Sequence, residues 1–143
     1  MSVATATSLP TVTLRVPVGL VNDKTKDGWK LLEDTPLLGE PELELAEFLK
    51  PGESRIKGDV MFERAVALGN RAGQQHAERL LSQQDSIPKE WRDFYLVFPG
   101  TKWQRSDGDL VVPYLYWHDD RWRLDWYWLD DDFNDDDRLV RCK

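Results

Sequence analysis

The densest group of chemically capable side chains is an acidic run near the C-terminus. Asp130, Asp131, Asp132, Asn134, Asp135, Asp136 and Asp137 fill all but one of eight consecutive positions, with Phe133 as the interruption. Oxygen ligands at alternate positions are what a hard cation such as calcium needs, and Asp130, Asp132 and Asn134 have the first three spacings of an EF-hand loop. The rest of that pattern fails. Asp135 stands where the loop needs Gly, and Arg141 where it needs a bidentate Glu. The sequence therefore assigns no metal or other cofactor, and leaves Asp130, Asp132 and Asn134 as candidate ligands in a loop of another design. The competing reading is a solvated loop rich in turn-favouring Asp.

The same carboxylates, joined by Asp119, Asp120 and Asp125, suit a second role. A row of carboxylates satisfies the Lys and Arg side chains that otherwise meet phosphate, so the run could occupy the basic groove of a nucleic-acid-binding protein. Acids beside Trp and Tyr also fit a third chemistry, the binding or hydrolysis of a carbohydrate or similar polar ligand.

Other chemistry is thin. His76 and His118 are the only histidines and Cys142 the only cysteine, so no zinc set of the usual kinds assembles and no intrachain disulfide forms. Cys142, next to the end of the chain, is expected to lack anything that would orient it as a nucleophile. His76 is expected at a helix surface or boundary, and His118, beside Asp119, in solvent. Residues 62–82 thread weakly as a helix-turn-helix, because Arg64 and Asn70 fall where apolar residues are needed; a structural helical hairpin is preferred. Gly-rich phosphate loops are absent. A non-enzymatic role is expected.

The elements that position these residues follow from periodicity. In residues 11–21, Val12, Leu14, Val16 and Val18 alternate with Thr13, Arg15 and Pro17, which predicts an N-terminal strand on an edge. Residues 1–10 are expected to be frayed, and residues 11–143 to form one globular domain. Trp29 to Leu32 reads as a short strand, and residues 35–41, with two prolines and a glycine, as a loop. Residues 42–50 fit a short helix or a strand. Residues 59–84 carry an apolar stripe at helical spacing (Met61, Ala65, Leu68, Ala72, Ala77, Leu80, Leu81) with Asp59 as its N-cap. Gly69 and Gly73 predict either a break into two helices near Gly69-Asn70 or close packing of one. Pro88 marks a fresh helical start.

After Phe94 the pattern is β. Of 16 aromatic residues, 12 lie between Phe94 and Phe133. A two-residue turn at Asp119-Asp120 pairs His118 with Arg121, Trp117 with Trp122, Leu115 with Leu124, Pro113 with Trp126 and Val111 with Trp128. That register puts Trp117, Trp122, Trp126 and Trp128 on one face, which the helices should cover. Tyr114, Tyr116, Arg123, Asp125 and Tyr127 fall on the other, with a cation–π pair expected between Tyr116 and Arg123. This second face is either covered by N-terminal strands as another core layer or left open as an interface.

The expected architecture is thus α+β, a Trp-rich C-terminal antiparallel sheet packed on central helices with an N-terminal strand. A formal charge of −7 argues against direct binding of nucleic acid or an anionic membrane, both being negative themselves. The lack of a basic-then-apolar leader and of a long apolar run implies a cytoplasmic location. The expected role is a small acidic protein-interaction module with a basic partner. Its candidate binding residues are Tyr114, Tyr116, Arg123, Asp125, Tyr127, Asp131, Asp132, Asp135 and Asp136.

Overall fold

A computed structural model describes residues 9–13 and 22–143. Twelve elements follow in order: β1 (Val12–Thr13), β2 (Lys30–Glu33), β3 (Glu42–Ala46), β4 (Arg55–Lys57), α1 (Gly58–Leu68), α2 (Gln74–Ser82), β5 (Tyr95–Val97), β6 (Lys102–Gln104), β7 (Leu110–His118), β8 (Arg121–Trp128), β9 (Asp132–Asn134) and β10 (Asp137–Cys142). The α+β class holds. Of the expected N-terminal strand, β1 is present; residues 14–21 lie outside the described residues, as do residues 1–8 of the segment expected to be frayed.

The β7–β8 hairpin has the register its residue pattern predicts, from His118↔Arg121 to Val111↔Trp128. Asp119 and Asp120 both have positive φ (51° and 63°), as the two central residues of a tight hairpin turn require. β7 is the hub of the main sheet. Along its other edge β5 pairs with the second half and β6 with the first, so the sheet branches. Past β5 come β10, β3 and β1; past β6 comes β2. The sheet is mixed rather than antiparallel, because β10 runs parallel to β5. Residues 42–46 are a strand, not a helix: β3 pairs with both β1 and β10, and these long-range ladders override a weak local helical pattern.

The sheet has a layer on each face. On the indole face, α2 and the 3₁₀ turn Lys89–Asp93 bury Ala77, Leu80 and Trp91 against Leu96, Leu115 and Trp122. On the tyrosine face, α1 packs Met61, Phe62 and Ala65 against Val97, Val112, Leu129 and Leu139. The two helices therefore lie on opposite sides of the sheet, joined by the break at residues 69–73. This removes both the helix-turn-helix and the helical hairpin. It also corrects the expectation that the helices share one face, and the cover on the tyrosine side is α1 with β4 and β9 rather than N-terminal strands. β4 and β9 form a separate two-stranded ribbon, Ile56 opposite Phe133, the first in a stretch to which the sequence assigned no element and the second inside the acidic run.

Close approach decides the seat of α1. Gly58 opens the helix against β8, and a Cβ there would lie 2.4 Å from the Leu129 carbonyl oxygen. The Gly58 N–H donates to the Asp131 carbonyl at 3.0 Å, so the acidic segment closes this end of the helix. Asp59 is not the cap; it sits in the first turn and accepts from the Val60 N–H.

The four hairpin indoles share one face, but only Trp122 is buried. Trp117, Trp126 and Trp128 are half-buried, at positions where charged side chains rather than helix lie over them. The Arg92 guanidinium sits 3.6 Å from the Trp117 ring centroid, Lys24 lies 5.9 Å from that of Trp126, and Arg105 5.0 Å from that of Trp128.

Candidate interaction surface

Period-2 alternation sends Tyr114 and Tyr116 of β7, Tyr127 of β8 and Tyr95 of β5 to the face opposite the indoles. These are all the tyrosines of the chain, and they meet around Tyr114. Its ring centroid is 6.1 Å from Tyr95 (edge-on), 5.6 Å from Tyr116 (stacked) and 5.1 Å from Tyr127. Tyr127 in turn stacks on Phe133 of β9 at 4.0 Å. The set grades from core to solvent. Tyr127 and Tyr114 are half-buried against the α1 layer, whereas Tyr95 is 45% exposed. Burial pushes the Tyr114 hydroxyl up to about 12, with the charge of Asp125 adding to it, and pushes Tyr127 up further with the help of Asp137.

Beneath the tyrosines lies Asp137, the first residue of β10 and only 1% exposed. Its Oδ2 accepts from the Asn134 N–H at 2.9 Å and lies 3.4 Å from the Tyr127 hydroxyl. Its Oδ1 is buried with no hydrogen-bond partner. Desolvation of this carboxyl pushes its pKa up to about 6, against the opposing pull of the Asn134 N–H.

The remaining acids divide into two groups. Asp132 is engaged by Lys57 (3.3 Å) and Arg55 (3.5 Å), and Asp135 by Arg138 (3.8 Å). Asp125, Asp130, Asp131 and Asp136 are exposed and, among the described residues, make no ion pair. Asp125 instead accepts from the Trp126 N–H on the outer edge of β8, and the Asp136 carbonyl accepts from the Tyr95 N–H. Asp125 is thus directly opposite Tyr114, and Asp136 is hydrogen-bonded to Tyr95 through its backbone. The candidate calcium ligands Asp130, Asp132 and Asn134 are not gathered into a cluster among the described residues. Asp132 is held by two cations, the Asn134 side chain accepts from the Asp136 N–H, and among the described residues no three His, Cys, Asp or Glu side chains converge.

Arg123 does not stack on Tyr116. Its Nε donates to the His118 carbonyl and its Nη2 lies 3.9 Å from Asp119, both drawing it toward the turn. The contrast with the rest of the molecule is sharp. Lys24 and Arg105 cover Trp29, Arg92 covers Trp117, Arg71 and Lys102 flank Phe62, and Arg138 covers Phe94. Among the described residues no cation lies over any tyrosine.

Two of the concavities elsewhere among the described residues have titratable side chains that bear on chemistry. A cleft of about 850 Å³ between the start of α1 and the β6–β7 turn has Asp59, Glu63, Asp109 and Asp130 on its walls with Lys57 and Lys102. It has carboxylates but no tryptophan, and its one aromatic wall, Phe62, is already covered by Lys102 at 4.4 Å. A second, of about 410 Å³, has Leu38, Val66 and Pro41 at its walls with His76 and Cys142. Here two expectations are corrected. His76 is buried, 2% exposed, and Cys142 belongs to the β10 strand paired with β3 rather than to a loose terminus.

The Cys142 Sγ lies 3.7 Å from His76 Nε2. Chemistry nonetheless fails there. His76 Nδ1 accepts from the Gly73 N–H at 3.0 Å, so the ring proton is on Nε2 and the imidazole presents a donor, not a base, to the thiol. Burial pushes the His76 pKa down to about 4 and the Cys142 thiol up, the reverse of a thiolate–imidazolium pair.

Sequence reasoning placed Tyr114, Tyr116, Tyr127 and Asp125 on one face and missed Tyr95 and Asp137. Tyr95 alternates with Leu96 in a short apolar run, a signal that could have placed it outward but not beside Tyr114. Nothing in six equivalent aspartates marks Asp137 as the buried one.

The chain is thus an α+β protein with a branched mixed sheet, presenting an acidic tyrosine surface. No protein family, curated protein or solved structure matches it. Among the described residues no helix is long and apolar enough to cross a membrane.

Proposed function

We propose that this protein is an interaction module whose tyrosine surface, rimmed by Asp125, Asp131 and Asp136, receives a basic segment of a protein partner. The observation that carries this is the uneven distribution of cations. Elsewhere exposed aromatic faces are covered by the chain's own Lys and Arg, while the tyrosines and three neighbouring carboxylates are left without any among the described residues. Guanidinium and ammonium groups gain from both aromatic faces and carboxylates, so a basic segment supplies what the surface lacks.

The test is binding of an oligo-arginine peptide to the immobilised protein. It should bind at low salt and weaken as salt is raised. Changing Asp125, Asp131 and Asp136 together to Asn, or Tyr95 and Tyr116 together to Leu, should each weaken it several-fold with the fold intact. Binding unaffected by both variants, or none at all, rejects the reading.

A narrower form has the acidic run standing in for nucleic-acid phosphates. It rests on the number of unpaired carboxylates and predicts that duplex DNA displaces the natural partner. The alternative of a polar-ligand site in the larger cleft draws on its four carboxylates, but it lacks the aromatic platform that sugar stacking would use.

A further inference from the structure

The buried carboxyl under the tyrosines is not explained by packing alone. A carboxyl oxygen sealed from water without a donor is costly in the ionised form and tolerable in the protonated one. Asp137 Oδ1 is in that position, in a residue 1% exposed. The groups that face Asp137 are Tyr127 of β8, Tyr114 of β7, its strand partner Tyr95 of β5, Asp136 in the preceding turn and Arg138 next along β10. Arg138 is turned away, its guanidinium over Phe94 on the opposite face of the sheet and donating to the Asp135 and Asp137 carbonyls. The tyrosines bring no positive charge, and Asp136 opposes ionisation.

We infer that Asp137 is the proton-linked anchor of the tyrosine surface: in mildly acidic solution it holds a proton while the surface is vacant and releases it to solvent when a guanidinium or ammonium group settles over Tyr114 and Tyr127. This rests on the interaction surface proposed above. The bound cation supplies the counter-charge that the vacant site lacks, so the ionised carboxylate becomes the favoured form. By linkage, binding is then tighter where Asp137 is already ionised.

The probe is an oligo-arginine peptide titrated calorimetrically from about pH 5 to about pH 7.5, a window in which ordinary carboxylates are already ionised. The His118 ring lies 6.5 Å from that of Tyr116, so the experiment uses His118→Gln protein throughout, which leaves no imidazole beside the surface. Affinity should rise by up to about tenfold across the window, with a proton fraction released near pH 6 when two buffers of different ionisation heat are compared. Asp137→Asn keeps the shape of the protonated carboxyl; it should fold, bind only as tightly as the protonated protein does at about pH 5, and lose both the pH dependence and the proton release. Carbon NMR of Asp137 gives a second readout, a midpoint near 6 in the free protein that moves lower with peptide. Binding whose pH profile is the same in Asp137→Asn, or a midpoint the peptide does not move, overturns the proton link and leaves the interaction surface standing. Absence of peptide binding at every pH and at low salt overturns both.

Discussion

The Gly73 N–H donates to His76 Nδ1 at 3.0 Å, and this contact commits the ring to its neutral, Nε2-protonated form. The start of α2 is thereby built around an imidazole that cannot take a second proton without setting two donors face to face.

Burial of that ring, which pushes its pKa down, makes the stability of the fold depend on pH. The folded His76 pKa is depressed from 6.5 to about 4, so its contribution is present above 6.5 and lost as pH falls toward 4. Asp137 acts oppositely. Its folded pKa is raised from 3.8 to about 6, so its contribution is present at low pH and lost as pH rises through 6. Each is on the order of 3 kcal/mol, and between about pH 4.5 and 6 they oppose each other. Urea unfolding should give a shallow pH profile for the native protein there. Asp137→Asn should lose stability on acidification through that range and His76→Gln should gain it. Parallel profiles for the two variants would contradict both assignments.

Gly58→Ala should be destabilising although alanine is the better helix former. The added carbon would meet the Leu129 backbone, at 2.4 Å from its oxygen and 2.6 Å from its Cα, which cannot turn aside as a side chain can. The expected cost, about 2–4 kcal/mol, exceeds the roughly 1 kcal/mol of helix propensity regained. Thermal melting measures it.

Gln84 stoppers the open edge of the sheet. The hairpin register points the backbone groups of Trp122, Leu124, Trp126 and Trp128 away from β7. The Gln84 side chain closes the first of these, donating to the Trp122 carbonyl (3.3 Å) and accepting from its N–H (2.9 Å). Gln84→Ala should cost about 1 kcal/mol, speed hydrogen exchange at the Trp122 amide, and raise self-association in sedimentation runs.

Cys142 should react sluggishly with iodoacetamide at neutral pH, its rate rising at a higher pH than for a free cysteine. Burial holds its thiol protonated and the neutral His76 offers no base. A thiol that alkylates fast at neutral pH would contradict this.

The hairpin was legible because it is local. Alternation sorts Trp122 and Tyr127 to opposite faces whatever else the chain does, and Asp119-Asp120 can turn in few ways. Residues 42–50 were ambiguous for the opposite reason: Leu43 and Leu45 suit either element, and the choice falls to ladders with Val12 and Val140, distant in sequence.

Composition, strand periodicity, the Asp119-Asp120 turn and the partition of indoles from tyrosines could all be read from the order of residues, since each depends on neighbours within one hairpin or helix. The branching of the sheet at β7, the placement of α1 and α2 on opposite faces, the burial of Asp137 among six similar aspartates and the meeting of His76 with Cys142 across 66 residues could not. Those depend on which apolar surfaces find each other over long stretches of chain, and desolvation, which sets the chemistry of Asp137 and His76, exists only once they have.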